Sequence, residues 1–498
     1  MGADAVLQTL PGVLETVPAL RSVLVVYDPL RVRFSALAGL AESCARDAPP
    51  TALDTGRLVE VPVAYGGALG PDLEAVAVAC GLPAAEVIRL HCQPTYLVLM
   101  LGFAPGYPYL GMLPEPIRLP RRSSPRPRVP AGSVAIADAF TGIYPQDTPG
   151  GWHLLGRTSL RPFDTNRDPV VLLRPGDRVR FTPTPEAGAP IADAPCDGPA
   201  RSRRPVLEVL QPGLLTTIQD AGRPGWRRYG VPASGAVDRA ACAAANALIG
   251  NAPAAAALEF TFPGPHLRVM DAVEIALAGA DLGARLNGAP VRTGEPLRAR
   301  QDDEIAFHEP VRGQWAYLAV AGGLDVPQVF ASRSTYARGG LPGLAGRPLR
   351  AGDVLGRGEG PTGLRRIQPR ETSQGSGRIR VVLGPQLDAF TVEAIAALVG
   401  QPFEVTARRD RSGMRLRGPS LRHSGSPEIL SDGMLPGAIQ VPADGQPIVI
   451  LADGPTTGGY PKIAHVVTAD LDRLAQAAPG ASVRFEAVTA DEGGLPCS

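Results

Sequence analysis

The sequence predicts a mainly β protein with α+β parts, on three observations. Glycine (58) and proline (53) together exceed a fifth of the 498 residues. That is well over the usual share of about 12%, yet short of the roughly 25–30% at which disorder is suspected. Hydrophobic residues make up 44%, enough to bury several cores. Short β-branched runs recur between Gly/Pro turns, the texture of strands. At about 100–200 residues per domain, the length fits three or four domains.

Residues 1–92 read as a small α+β domain. Val23–Tyr27 is a β-branched run closing on Asp28-Pro29, and 57–63 is a second strand ended by Tyr65-Gly66-Gly67. Asp72 is expected to cap a helix to about Ala79, with Glu74 near its positive end. Pro83 opens another helix over 84–91. From Pro94 strands dominate: Tyr96–Leu101, Ser133–Ala137, 170–173 and 178–181, which makes 93–183 a β domain. Residues 184–205 are crowded with prolines and read as a linker. A second β domain spans 206–360, with an alanine-rich helix over 236–248. A weaker linker, 356–377, precedes a last β domain, 378–490, whose clear helix is expected over 386–399.

An internal echo runs through this order. Pro175-Gly176-Asp177-Arg178-Val179-Arg180-Phe181 resembles Pro479-Gly480-Ala481-Ser482-Val483-Arg484-Phe485. Gly150-Gly151-Trp152 resembles Gly458-Gly459-Tyr460, and Val129-Pro130-Ala131-Gly132 resembles Leu435-Pro436-Gly437-Ala438. Three echoes in one order predict two copies of one β-barrel type.

Charge and rare residues exclude several function classes. The 49 basic residues nearly balance 48 acidic ones, without the basic excess of a nucleic-acid binder. Lys462 is the one lysine, between Pro461 and Ile463. A phosphate loop ending in Gly-Lys-Ser/Thr is therefore absent, as is the motif set of a protein kinase. Six cysteines form no C-x-x-C pair and fit no zinc spacing. The His91-Cys92 pair reads as structural, and no metal site is assigned. The cysteines look reduced, no basic leader is visible, and no apolar run nears the ~20 residues of a membrane helix. A cytoplasmic protein that engages no membrane is expected.

Three stretches could carry chemistry. In the densest, a strand delivers Asp453, followed by Thr456, Thr457, Gly458, Gly459, Tyr460 and Lys462. A carboxylate, two hydroxyls, a glycine turn open to an anion, a phenol and the single ammonium suit anion handling. A second stretch carries Arg121, Arg122, Arg126 and Arg128, then His153 and Arg157. Guanidinium forks match carboxylates and phosphates, and His153 is an acid/base candidate. The third holds Gln219, Asp220 and Arg223, then Ser234-Gly235-Ala236-Val237-Asp238. Helix capping explains Asp238 better than any function explains it.

These stretches also carry a resemblance. Leu101-Gly102-Phe103-Ala104-Pro105-Gly106-Tyr107-Pro108-Tyr109-Leu110, with Pro149-Gly150-Gly151-Trp152-His153, resembles the allophanate-hydrolase subunit 1 family. Thr216-Thr217-Ile218-Gln219-Asp220-Ala221-Gly222-Arg223-Pro224-Gly225-Trp226, with Gly458-Gly459-Tyr460-Pro461-Lys462, resembles subunit 2. The pair includes the Kip inhibitor and its antagonist, the B and C subunits of 5-oxoprolinase, and the carboxyltransferase part of urea carboxylase. The resemblance covers nearly the whole chain and implies cyclophilin-like β-barrel domains in tandem, preceded by a small α+β domain. The family's opening strand would precede Pro11, so the resemblance implies either a misassigned start or an incomplete small domain. Pro455 also departs from the family, which often has Gln there.

The function implied is a fused B–C subunit of ATP-dependent 5-oxoprolinase, which opens the 5-oxoproline lactam to L-glutamate with a LamB/YcsF-type partner. ATP and Mg2+ are the expected cofactors, a homo-oligomer is expected, and no nucleic acid is. On this reading Lys462 with Arg128 or Arg157 neutralises phosphate or the substrate carboxylate. Asp453 or Asp220 orients the nucleophile or holds Mg2+, and His153 moves a proton. Thr456, Thr457, Gly458, Gly459, Tyr460, Gln219 and Arg223 would complete the binding site. The rivals are a biotin-dependent carboxyltransferase component and a non-enzymatic inhibitor of a histidine kinase.

Overall fold

A computed structural model describes residues 2–47, 56–185, 204–359 and 377–493. Two closed seven-stranded barrels flank a sandwich of a six- and a five-stranded sheet. The first barrel runs His153–Arg157, Leu58–Tyr65, Arg178–Pro183, Tyr96–Leu101, Pro108–Gly111, Phe140–Ile143 and Ser133–Ala137 around its wall. The second runs Lys462–Val466, Ile379–Leu383, Ser482–Val488, Pro402–Arg409, Gly413–Arg417, Ile448–Ile450 and Ala438–Gln440. Counted along the chain, both follow the same strand order. In each, the first and last strands pair in parallel.

The likeness extends to details. Each barrel carries a two-stranded satellite, Arg126–Val129 with Thr148–Gly150 and Asp432–Gly433 with Thr457–Gly458. The three sequence echoes fall at matching places. Each Gly-Gly-aromatic turn links a satellite strand to a barrel strand, and each Pro-Gly-Asp/Ala run enters the last strand. Register fixes finer equivalences. Leu154 pairs with Ala135 and Lys462 with Gln440, each beside a bulge. Leu154 N–H donates to Asp72 Oδ2 at 2.7 Å, and Lys462 N–H donates to Gln386 Oε1 at 3.0 Å. Lys462 thus occupies the position of Leu154, and Gln386 that of Asp72.

Packing decides how the units are joined. One hydrophobic cluster runs from the sandwich (Leu258, Phe260, Leu318) into the second barrel (Phe403, Val449, Phe485) without a break. The first barrel has a separate core around Tyr96, Leu110 and Phe181. Burial of apolar surface at about 25 cal/mol per Å² therefore binds sandwich and second barrel together. Charge adds to it. Asp472 on helix Thr468–Ala475 accepts from Arg239 and Ala240 N–H at the start of helix Arg239–Leu248, at 3.0 and 3.2 Å.

Several expectations need correction. The boundary at residue 92 does not follow the sheet, because Leu58–Tyr65 is a wall strand of the first barrel and helices Leu73–Cys80 and Ala84–Cys92 pack on that barrel. What remains before it is helix Gly2–Leu7, the hairpin Val13–Pro18/Val23–Tyr27 and helix Phe34–Asp47. Both linkers fall largely outside the described residues. Segment 170–173 is not a strand: only Val171 pairs, in an isolated antiparallel bridge with Phe163 made by Asp164 N–H to Val170 C=O and Leu172 N–H to Pro162 C=O. The helix expected over 386–399 begins only at Val392, because Phe390 is extended and Thr391 Oγ1 caps Ala394 N–H. The alanine-rich helix starts at Arg239, with Asp238 as its cap. Asp72 makes no cap bond. Its carboxylate instead joins Leu154 N–H, Arg126 and Arg122.

His91 is structural. Its ring is fully buried between Tyr65 Oη at 2.7 Å and Thr141 Oγ1 at 2.8 Å. Burial pushes its pKa down to about 3. The unfolded chain binds that proton from about pH 6.5 downward, so stability is full above 6.5 and drains away as pH falls toward 3. We expect this residue to cost roughly 2 kcal/mol between pH 7 and pH 5. Urea unfolding at both pH values checks this: His91→Gln should flatten the loss, and an equal loss in both proteins would refute the assignment.

Candidate active site

Lys462 is 7% exposed, at the start of a barrel strand. Its Nζ meets Asp432 Oδ2 and donates to Gly433 C=O at 2.8 Å. An ammonium has three N–H groups, and two of them are spent here. Asp432 is held from all sides: Gln386 Nε2 donates to Oδ2 at 2.9 Å, Gly433 N–H to Oδ1 at 2.8 Å, and Ser22 Oγ–H also to Oδ1. Burial works against its charge, but Lys462 and these donors outweigh it and keep its pKa below the ordinary carboxylate value.

This centre lies on the seam between the first part of the chain and the last. Ser22 comes from the turn of the N-terminal hairpin. Phe103 N–H, in the loop after the strand Tyr96–Leu101, donates to Thr457 Oγ1 at 3.0 Å. Gly102 is required there, since a Cβ would run into the Thr457 side chain. Tyr109 hydrogen-bonds Ser431. Behind this loop, Tyr107, Tyr109, Tyr144 and Trp152 pack edge to face with centroids 5.1–5.7 Å apart. They give the seam a rigid apolar floor.

Asp453, at the other end of the same segment, belongs to a second buried centre. Arg411 grips it through Nε at 2.8 Å and Nη2 at 3.0 Å. Arg411 also meets Glu259 and donates to Gly235 C=O at 2.8 Å. Burial alone would lower the guanidinium pKa, but Asp453 and Glu259 raise it well above its ordinary value. The second oxygen of Glu259 accepts from Val237 N–H and Tyr317 Oη–H, at 2.8 and 2.7 Å.

Gln219, Asp220 and Arg223 adjoin this centre. Asp220 is saturated. Its Oδ1 accepts from Gly222 N–H (2.7 Å), Ser332 Oγ–H (2.8 Å) and Ser334 Oγ–H (2.5 Å), and its Oδ2 from Arg333 N–H (2.6 Å). It holds the 332–334 loop. Arg223 is wholly buried and donates through Nη2 to Ser334 C=O. Burial lowers its pKa to about 10 despite Asp220 and Asp453 nearby. Gln219 donates to Thr217 Oγ1 and Thr335 C=O at 3.0 and 3.1 Å.

The remaining expectations fare unevenly. Gly458 and Gly459 do not form an anion-binding turn. Neither is left-handed, Gly458 pairs with Asp432 in the satellite sheet, and Gly459 C=O accepts from Ile429 N–H at 2.9 Å. Tyr460 is 39% exposed, and its C=O accepts from Gln440 Nε2. Thr456 is buried with no partner for Oγ1. His153, Arg128 and Arg157 sit on the first barrel and share no bond with Lys462 among the described residues. His153 Nε2 faces Pro120 C=O at 2.9 Å, Arg128 pairs with Asp147 on the surface, and Arg157 matches His465 in register. A magnesium cage does not fit. Asp220 and Asp453 are spent on protein donors, and no cluster of three metal-ligating side chains occurs among the described residues. No helix there is long and apolar enough to cross a membrane.

Sequence reasoning missed Asp432, Gln386, Ser22, Arg411 and Glu259. Only proximity identifies them. The Lys462–Asp432 pair is mostly buried, so breaking it leaves a costly lone charge. Lys462→Met should cost roughly 3 kcal/mol, and adding Asp432→Asn should restore part of that. A double-mutant cycle by urea unfolding checks this; additive losses would show that the pair is not coupled.

Comparison with known proteins agrees with the two-part architecture. The family described as carboxyltransferase domain, subdomain A and B, matches residues 229–487, and subdomain C and D matches residues 2–173. The chain is 38% identical over 287 residues to the C subunit of 5-oxoprolinase from Escherichia coli (strain K12), covering 58% of this chain and 93% of that one. It is 48% identical over 179 residues to the B subunit of 5-oxoprolinase from Escherichia coli O157:H7, covering 36% and 81%. The crystal structure of TTHA0988 superposes with a TM-score of 0.84 at 39% identity, covering 97% of this chain and 95% of that one. The chain therefore belongs to the carboxyltransferase-domain family, as a fusion of counterparts of the B and C subunits of 5-oxoprolinase.

Proposed function

We propose that the chain is the fused B–C component of an ATP-dependent 5-oxoprolinase that acts with a separate LamB/YcsF-type subunit in the cytoplasm. One observation carries the reading beyond the likeness itself. The single lysine sits at the seam where the half resembling the B subunit meets the half resembling the C subunit, with one N–H unspent.

The chemistry asks for such a centre. A lactam amide is resonance-stabilised and resists water near neutral pH. Phosphoryl transfer from ATP to the lactam oxygen removes that resonance. Water then adds to the ring carbon, the ring C–N bond breaks to leave an open-chain acyl phosphate, and a second water hydrolyses that to the carboxylate and phosphate. The products are L-glutamate, ADP and phosphate. Negative charge gathers on the ring oxygen and the phosphoryl group, and a preset cation in a water-poor cleft stabilises it best. Lys462 supplies the charge, while Asp432 and Gln386 fix its position. The aromatic floor excludes water. Magnesium would travel with the nucleotide, and no step here is assigned to it.

The family description also favours a second reading, carboxyl transfer to an amide nitrogen. An oxyanion centre serves that reaction equally well. The two part on co-substrate. The protein, combined with the LamB/YcsF-type subunit, 5-oxoproline, ATP and Mg2+, should yield glutamate and substrate-dependent ADP. Lys462→Ala should lower turnover by about a hundredfold or more, the scale of losing one charge-stabilising donor. No glutamate with wild-type protein, but carboxyl transfer from carboxybiotin, would replace the first reading by the second.

A further inference from the structure

The tip of the N-terminal hairpin stands beside the Lys462 centre. Ala19 N–H donates to Ser22 C=O at 2.8 Å, which leaves Leu20-Arg21 as the tip. Ala19 and Leu20 pack on the first-barrel cluster that holds Tyr107 and Trp152. Ser22 Oγ–H donates to Asp432. Leu24 lies so close to Gly433 that a Cβ added there would stand 2.6 Å from its own Cβ. The hairpin therefore spans both barrels at the lysine. Exposure grades across the centre. The Lys462 bond to Gly433 C=O is buried, its bond to Asp432 is half-buried, and the Ser22–Asp432 bond is exposed. Water thus reaches the pair from the Ser22 side.

The pair is electrically close to neutral. Asp432, in contact with the ammonium, cancels most of the field a third group would feel, so an anion arriving there meets little net positive charge. Other cations nearby are committed. His465, on the same strand as Lys462, is held neutral by burial, with its pKa pushed down to about 4. Arg121, whose charge is felt at Tyr109, pairs with Asp138 at 3.4 Å. Arg21 has no such tie. It is exposed, adjoins Ser22 in sequence, and makes no hydrogen bond or ion pair among the described residues.

We infer that Arg21 is a second anion-contacting residue of the Lys462 centre, brought by the N-terminal hairpin to supply the net positive charge that Lys462, neutralised by Asp432, lacks; its part in turnover rests on the function proposed above. Consecutive Cα atoms are about 3.8 Å apart, so the guanidinium arm starts beside the Ser22–Asp432 bond, where the pair meets water. Its ligand is an oxyanion, a phosphoryl group or a carboxylate, entering from that side. The planar fork offers two parallel N–H groups to such an anion, while Lys462 faces it from within.

Isothermal titration of the full chain with two probes, pyrophosphate and glutarate, tests the residue without the reaction. Turnover with the LamB/YcsF-type subunit, 5-oxoproline, ATP and Mg2+ tests it within the reaction. Arg21→Gln should weaken the tighter probe about tenfold or more, the scale of one charge-assisted bond, and lower kcat/KM by a similar factor. Its Tm should not change, because no partner is left behind. Arg21→Lys, which keeps the charge and loses the fork, should fall between. Lys462→Ala should weaken the same probe. Tighter binding of pyrophosphate assigns the contact to the phosphoryl group, and tighter binding of glutarate assigns it to the substrate carboxylate. Equal affinity in wild type and Arg21→Gln, no binding of either probe by wild type, or binding that responds to Arg21 but not to Lys462 overturns the inference. So does an unchanged kcat/KM in Arg21→Gln. Glutamate formation with Arg21-independent binding would keep the oxoprolinase reading and remove Arg21. Binding that depends on Arg21 and Lys462, in a wild type that forms no glutamate, would keep Arg21 at the anion centre and remove that reading.

Discussion

Arg411 is the point on which the inner architecture turns. One guanidinium from the second barrel answers two buried carboxylates, Asp453 of its own barrel and Glu259 of the sandwich, and reaches Gly235 C=O as well. Desolvating three charges is expensive, and only near-complete hydrogen bonding offsets it. That requirement is met on both carboxylates. Val237 and Tyr317 complete Glu259, and both Asp453 oxygens accept from Arg411, with the Asp453 N–H donating to Arg411 C=O at 2.9 Å alongside. The hydrophobic core shared by sandwich and barrel supplies most of the attraction, but it is tolerant of sliding. The charge cluster is not, so it sets the register between the two units. Because Asp453 starts the segment that ends at Lys462, this clamp also fixes where the seam lysine stands.

The duplicated barrels show how such a centre arises on an existing frame. In the first barrel the matching positions hold Asp72, Arg126 and Leu154; in the second they hold Gln386, Asp432 and Lys462. Backbone bonding is the same in both. Leu154 and Lys462 each exchange two bonds with one residue, Asp72 just before helix Leu73–Cys80 or Gln386 just before the short 3-10 turn Leu387–Ala389. Only the charges have moved. In the first barrel the carboxylate sits at the helix side and the cation on the satellite strand. In the second the satellite strand carries the carboxylate, and the barrel wall carries the cation. The scaffold bonds come from main-chain groups and one short polar side chain. The remaining positions are therefore free to change charge without disturbing the barrel.

The frame was more legible in the sequence than the site. Gly/Pro spacing and β-branched runs marked some of the strands, Val23–Tyr27, Tyr96–Leu101 and Ser133–Ala137 among them, and the echoes marked the duplication, because both are local signals. Helix starts were misread where a side chain was engaged elsewhere. Asp72 looks like a cap but serves Arg126 and Leu154, and Gln386 looks helical but serves Asp432 and Lys462. Lys462 was visible by rarity and Arg223 by its motif. Arg411 was not, since nothing local in the run Arg408-Arg409-Asp410-Arg411 says that one of its arginines points inward. His153, Arg128 and Gly458-Gly459 were overvalued for the converse reason. Residue type suggested anion chemistry, while pairing with Pro120, Asp147 and Asp432 had already claimed them.

The seam adds a constraint that neither half meets alone. Asp432 is completed by Ser22, Thr457 Oγ1 receives Phe103 N–H, and Tyr109 reaches Ser431; every one of these bonds crosses from the first part of the chain to the last. Each is worth about 1 kcal/mol net, too little singly to assemble two independent proteins. Carried on one chain, they form at an effective concentration set by the intervening residues, without a bimolecular entropy cost. The sandwich lies between the two parts in sequence and is locked to the second barrel by Arg411. Its 226–231 loop meets the first part through Glu15–Arg227, Asp4–Arg228 and the Leu101–Tyr229 bridge. The contacts that assemble the Lys462 seam and those that join the sandwich to the first part therefore run through one neighbourhood, Leu101 bridging Tyr229 beside the Gly102–Thr457 approach, and a change in how the first barrel docks is felt at both.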